Sequence, residues 1–315
     1  MKILFISPRY SGGIGGHAAM LAEQLTKYGY EVTKMETPHI PIKNLKNPSF
    51  AIFGTLKGFL NRKQYDIVHG FNVPSAFAMH YTNARKKVLS VHGVFGEQVK
   101  TLHSKTISSI ATSTEVKVLK WADKLTTDSK LTQKKYKELG FEFEYLPSAI
   151  DTSMFSSIPK IEKKKNQIAY IGRNSFEKGI DILQKIESKI NGKVVYCTNM
   201  KWEDAMKILK ESNVLVVPSR MESLPTIIKE AFFLKVPVVA SNVGGIPEMI
   251  THNENGFLVE PANEEQMISA INNVLVSQES TQKIIDNAYE FVNKNMTWKT
   301  ILPKYVDFYE NLLNS

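Results

Sequence analysis

Apolar residues along this chain fall into short continuous runs separated by stretches where they recur at helical spacing. The runs at 2–7 (KILFIS), 66–69 (DIVH), 87–92 (KVLSVH), 167–172 (QIAYIG), 194–197 (VVYC), 213–218 (NVLVVP) and 236–241 (VPVVAS) are rich in β-branched residues. Runs without strict alternation suit strands buried on both faces of a parallel sheet. A further strand is expected at 31–35. The stretches between read as helices at 17–28 (closed by Gly29), 51–60, 98–121, 130–139, 180–190, 202–212, 226–234, 264–276, 280–293 and 301–313. Strands alternating with helices predict an α/β fold built from two βαβ halves of similar plan, with no solenoid repeat.

Length adds that 315 residues with 43% hydrophobic content make two domains, each large enough for its own core. Residues 158–166, with Lys160 and the Lys163-Lys164-Lys165 cluster, read as a solvated hinge. The single cysteine, Cys197, excludes a disulfide framework and reads as buried apolar filler. MKILFISPRY lacks the apolar core of a signal peptide, and no apolar run is long enough to span a bilayer. The chain is therefore expected to be cytoplasmic.

Charge is uneven. Residues 1–150 hold 21 Lys and Arg against 11 Asp and Glu, whereas the remainder holds 19 against 20. Two readings stay open: a solvated lysine-rich face, or attraction to an anionic membrane surface or acidic acceptor, which would make the protein peripheral on the inner face of the cell membrane. Nucleic acid is not expected, because no binding motif accompanies the charge.

The candidate chemistry centres on residues 219–248, SRMESLPTIIKEAFFLKVPVVASNVGGIPE. A turn bearing Glu222, Ser223 and Leu224 leads from a buried strand into a helix whose first position is expected to be Pro225, where a missing N–H costs nothing. Amides around Leu224 to Thr226 at a helix start suit a phosphate. Glu222 and Glu230, separated by seven residues, are expected to border one site and to accept from hydroxyls. Upstream, Arg173 and Lys178 lie in a loop that opens a helix, placed to clamp a diphosphate with a fork and a point charge. His92, at the carboxyl end of a strand, should face a ligand crevice.

These blocks resemble retaining glycosyltransferases of the GT-B fold, family 4. The resemblance rests on Glu222 and Glu230 with PTIIKEA and PVVAS, on Gly244-Gly245-Ile-Pro247-Glu248, on Asn255 to Val259 (NGFLV), and on Gly172-Arg173 with Lys178-Gly179. It extends to the GG-x-GG loop, Asp66-Ile-Val-His69, His92-Gly93, an expected strand across residues 122–129, residues 145–151 and Met296-Thr297-Trp298. It implies two Rossmann-like domains facing each other across a deep cleft, with an acceptor-binding domain at 1–150 and a nucleotide-sugar-binding domain at 151–300. A last helix, 301–315, is expected to cross back to the first domain. The implied reaction moves a sugar from a nucleotide-diphosphate sugar to a hydroxyl of a glycan, lipid or small molecule, with retention and no essential metal or other cofactor. The resemblance assigns His92 to the donor sugar, Glu222 to its hydroxyls, Glu230 to the ribose, Arg173 and Lys178 to the leaving diphosphate, and Gly15 and Gly16 to the other side of the crevice. Ser148 and Ala149 depart from the family's turn. The segment between 197 and 202 is shorter than the family's, which leaves the nucleobase unassigned.

Two rivals remain. Gly13-Ile-Gly15-Gly16-His17-Ala18 fits G-x-G-x-x-A with Glu36 downstream, as in a nicotinamide-dependent oxidoreductase, although residues 8–12 intervene between strand and fingerprint. The second is a non-catalytic protein of the same fold that binds sugar nucleotides or glycans.

Overall fold

The computed structural model describes residues 1–8, 13–37, 40, 42, 45–93 and 105–315. The chain divides into two compact units, Met1–Ser148 with Ile301–Ser315, and Ala149–Thr300.

The first unit holds a parallel six-stranded sheet in the order β2-β1-β3-β4-β5-β6. Its strands are β1 (Lys2–Pro8), β2 (Glu31–Thr37), β3 (Tyr65–Phe71), β4 (Ala84–Ser90), β5 (Lys124–Thr127) and β6 (Phe143–Tyr145). Its helices are α1 (Gly13–Tyr28), α2 (Lys46–Leu60), α3 (Ser75–Tyr81), α4 (Lys105–Leu119), α5 (Lys130–Glu138) and most of the final helix. Leu4, Ile6, Val68 and Leu89 are fully buried, as strands covered on both faces require. In α1 the buried positions Ala18, Leu21, Ala22 and Leu25 follow helical spacing.

The second unit holds a parallel five-stranded sheet in the order β11-β10-β9-β7-β8. Its strands are β7 (Gln167–Ile171), β8 (Lys193–Cys197), β9 (Val214–Val217), β10 (Val238–Ser241) and β11 (Phe257–Val259). Around it lie α6 (Ile180–Ile186), α7 (Trp202–Glu211), α8 (Thr226–Phe233), α9 (Glu264–Val276) and α10 (Gln278–Asn295); α11 (Trp298–Asn314) follows. Both sheets reverse their strand order once, between β1 and β3 in the first unit and between β7 and β9 in the second. Ligands of open α/β sheets bind beyond the carboxyl ends of the strands at such reversals.

Several boundaries differ from the sequence expectation. Helix α1 begins at Gly13 rather than His17, so Gly15 and Gly16 lie in its first turns instead of in a preceding loop. Strand β4 ends at Ser90, and His92 stands two residues beyond it. Pro225 is the N-cap of α8, in extended conformation (φ −65°, ψ 121°), and Thr226 is the first helical residue. The expected strand 122–129 narrows to β5. The expected helix 98–121 is α4 from Lys105, and residues 98–104 lie outside the described part. So do residues 9–12 of the glycine loop and several positions between 38 and 44.

Candidate functional site

In the second unit, two loops leave the carboxyl ends of β7 and β9, the strands flanking the reversal. The first carries Arg173 and Lys178, and the second carries Glu222. Lys178 Nζ donates to both carboxylate oxygens of Glu222, at 2.7 and 2.8 Å, and Ser219 Oγ donates to Glu222 Oε1 at 2.7 Å. The Glu222 side chain is 7% exposed and that of Lys178 24%, so the pair is largely withdrawn from water. A charge pair in that setting is held more firmly than one on the surface. Arg173 is exposed and pairs with Glu177 at 3.1 Å. Both cations assigned to a diphosphate thus carry an acidic partner here.

Two glycines set the shape of the Glu222 loop. Gly179, at φ +66°, packs on the residue that enters the loop: a Cβ there would stand 1.9 Å from the carbonyl oxygen of Pro218. Gly244, at φ +57°, would put a Cβ 1.8 Å from the carbonyl oxygen of Glu222 itself. Side chains are excluded at both positions by conformation and by space.

A third tie between the loops went unread in the sequence. Arg220 donates to both oxygens of Asp181 at 2.7 Å, donates to the carbonyl of Phe176 at 2.9 Å, and stacks over the Phe176 ring at 4.1 Å. Its own amide bonds the carbonyl of Glu177. The hydrogen bonds from Arg220 hold the Asp181 carboxyl below the usual carboxylate range. A planar fork with an aromatic platform needs arginine rather than lysine. The only signal available was an arginine adjoining the strand end in a block already singled out.

Glu230 takes different partners from Glu222. Its Oε1 accepts from Trp202 Nε1 at 2.7 Å, across from the start of α7. Burial raises its pKa; the Trp202 N–H and nearby Lys229 oppose that shift. Ser223 and Thr226 are partly exposed, whereas Leu224 and Pro225 are buried and Leu224 joins the hydrophobic core beneath the loop. The Leu224 side chain is thus committed to the core and anchors the loop there.

In the first unit, the ends of β1, β3 and β4 bring three histidines together. His92 Nδ1 lies 2.9 Å from Asp128 Oδ2, with both side chains nearly fully buried. His17, in α1 beside Gly15 and Gly16, has its ring 5.9 Å from that of His92 and its Nε2 3.1 Å from the Tyr305 hydroxyl. His69 is bonded through Nδ1 to Tyr309 Oη at 2.7 Å and through Nε2 to Ser90 Oγ at 2.6 Å, and its ring stacks on Phe71. Burial, followed by the neighbouring His17 and His92, lowers the His69 pKa well below its ordinary value. Both ring nitrogens of His69 are thus taken up by neighbouring hydroxyls, and α11 is pinned to the sheet ends through Tyr305 and Tyr309. The Tyr305 hydroxyl also donates to the Leu146 carbonyl.

Among the described residues, no group of three or more His, Cys, Asp or Glu side chains is arranged to hold a metal ion, and no helix is long and apolar enough to cross a membrane.

Residues 11–154 match the model of Glycosyltransferase Family 4, and residues 184–291 match that of Glycosyl transferases group 1. An uncharacterized glycosyltransferase of Methanocaldococcus jannaschii is 23% identical, the match covering 98% of each chain. Among solved structures, sucrose-phosphate synthase from Thermosynechococcus elongatus superposes with a TM-score of 0.83 at 17% identity, over 99% of both chains. Anabaena HepE in complex with UDP-glucose gives 0.76 at 15% identity, over 99% of this chain and 100% of its own.

Proposed function

Because the chain belongs to the glycosyltransferases of group 1 and family 4 and has their GT-B fold, we propose that it moves a hexose from a nucleoside-diphosphate sugar to an acceptor hydroxyl with retention at the anomeric carbon. The observation that carries this reading is the meeting of the Arg173–Lys178 loop and the Glu222 loop at the strand reversal of the second unit. In this reading the bond between the anomeric carbon and the diphosphate oxygen breaks while the acceptor oxygen approaches from the same face. The acceptor proton passes to the departing phosphate oxygen. Charge grows on that oxygen, and Arg173 and Lys178 are the fixed cations that stabilise it. Both change partners to do so: the diphosphate takes the place of Glu177 at Arg173, and Lys178 turns from Glu222, whose carboxylate then accepts from sugar hydroxyls. Glu230 accepts from the ribose, and the amides from Ser223 to Thr226 face donor sugar or phosphate. The family resemblance assigns His92, paired with Asp128 in the first unit, to the donor sugar, and Gly15 and Gly16 to the completion of the crevice. With the diphosphate neutralised by side chains, the reading requires no divalent ion.

The UDP-glucose bound by Anabaena HepE makes a uridine nucleotide the first donor to try. The acceptor in this reading is a glycan or a lipid-linked hydroxyl. The test is a thermal-shift series with UDP, GDP, ADP, their sugar conjugates and NAD, on wild type and Lys178→Ala. A ligand that binds only the native state raises its melting temperature by mass action. One nucleoside diphosphate is expected to stabilise the wild type and to lose most of its effect on the variant. Stabilisation by NAD alone would defeat the reading, and binding without turnover of the sugar conjugate would leave a binding protein. Proton NMR of the product's anomeric signal decides retention.

A further inference from the structure

Helix α2 presents its large apolar residues to solvent. Of the eighteen exposed large apolar side chains among the described residues, eight fall between 40 and 60. Ile52, Leu56 and Phe59 follow helical spacing at 61%, 55% and 68% exposure, with Phe53 and Leu60 flanking the stripe. The face that attaches α2 to its unit is the opposite one. Phe50 is buried there, and Gly58 sits so close to α3 that a Cβ would stand 2.6 Å from the Ala78 carbonyl oxygen. A helix whose small residues face inward and whose Ile, Leu and Phe face outward inverts the usual pattern of a surface helix, and such a patch marks an interaction site.

The surroundings of the stripe are cationic. Lys34 on the edge strand β2, Lys57 on α2 and Lys63 just beyond it line one open groove beside the helix, with Arg62 adjacent and exposed. Between residues 34 and 63 the chain carries six Lys and Arg and one acid, Glu36, which also lines the groove and whose backbone carbonyl accepts from Lys57 Nζ.

We propose that α2 docks on an anionic bilayer surface, its apolar stripe entering the acyl boundary while the Lys34–Lys57–Lys63 groove receives a lipid phosphate. An amphipathic helix with aromatic and leucine side chains on one side and lysines beside them lies in the interfacial plane of such a membrane. Each cation near the surface adds attraction to anionic lipid. A second copy of the chain fits poorly, because pairing through this face would set two strongly basic segments against each other. The inference does not depend on the transfer reading, since lipid binding is measured without donor or acceptor.

The test is flotation of the full chain with vesicles of phosphatidylcholine alone and of phosphatidylcholine mixed with phosphatidylglycerol. The wild type is expected to float with the mixed vesicles and to stay behind with the neutral ones. Leu56→Glu with Phe59→Glu should lower the bound fraction on the order of tenfold or more. Lys34→Glu with Lys63→Glu should lower it comparably and flatten its dependence on salt. All four positions are exposed, so unchanged melting temperatures and an unchanged nucleotide-induced shift serve as controls on folding. Wild type that stays behind with both vesicle types, or both double variants floating like wild type, overturns the proposal. A wild-type dimer in light scattering that becomes monomeric on Leu56→Glu, without vesicle binding, would assign the face to self-association instead.

Discussion

The α-carbon of Gly244 lies so close to the carbonyl oxygen of Glu222 that a methyl group there would stand 1.8 Å from it. The loop bearing the acid is thereby seated on the loop after β10, by a contact that only a residue without a side chain makes. Gly244→Ala is expected to destabilise the second unit by about 2 kcal/mol or more, through its positive φ and the clash together. Chemical denaturation checks this, and wild-type stability in the variant would show that the loop yields freely.

Glu222→Gln keeps an oxygen for Lys178 and Ser219 but removes the negative charge. We expect kcat to fall on the order of a hundredfold with the melting temperature little changed. Steady-state kinetics with the donor found by thermal shift decides it; a rate within twofold of wild type would remove Glu222 from the reaction.

Arg220 touches Asp181 and Phe176, and nothing in the assigned chemistry requires it to touch the donor. Arg220→Lys is expected to raise the donor KM several-fold while kcat holds, because lysine supplies the charge without the fork or the stacking plane. The cost in stability should stay below about 1 kcal/mol, as for other exposed pairs. A large fall in kcat at unchanged KM would instead place Arg220 among the groups acting on the transition state.

Asp128→Asn leaves the shape of the buried His92 partner in place and removes its charge. If that carboxylate orients the imidazole, kcat should drop about tenfold or more, while the shift caused by nucleoside diphosphate alone is retained. Equal loss of both would mean a general folding defect.

His69 sets a pH dependence of stability. Burial holds the native imidazole well below the ordinary histidine value of about 6.5, so on acidification the unfolded chain takes up a proton that the native protein declines. Stability is therefore lost as pH falls below about 6.5, with a slope of up to about 1.4 kcal/mol per pH unit from this group. His69→Gln should reduce that slope by about one proton in denaturant titrations at pH 7 and pH 5, whatever its effect on absolute stability.

Strands buried on both faces were legible because a continuous β-branched run such as 214–217 carries its own signal. Helix α3 was not: Ser75, Ala76, Ala78 and Met79 are all buried, so no polar face marks its period. Strands β6 and β11 are three residues each, too short for any repeat. For the site, Lys178 and Glu222 stand in blocks whose spacing could be read, and the structure joins them by hydrogen bonds. Helix α1 starts four residues early, since glycines at a helix entrance look like loop to a propensity argument. The ties that depend on tertiary structure left no local trace. Arg220 and Asp181 are 39 residues apart, and His17 and Tyr305 are 288.

The pinning of α11 by Tyr305 and Tyr309 bears on the order in which the protein is made. The first unit is assembled from two segments, Met1–Ser148 and Ile301–Ser315, with the whole of the second unit between them. Until α11 emerges, His17 and His69 lack the tyrosine hydroxyls they bond in the folded unit. The second unit, contiguous from Ala149 to Thr300, has all its strands before then and can fold as a domain on its own schedule. Synthesis therefore passes through the whole of the second unit before it reaches the segment that closes the first.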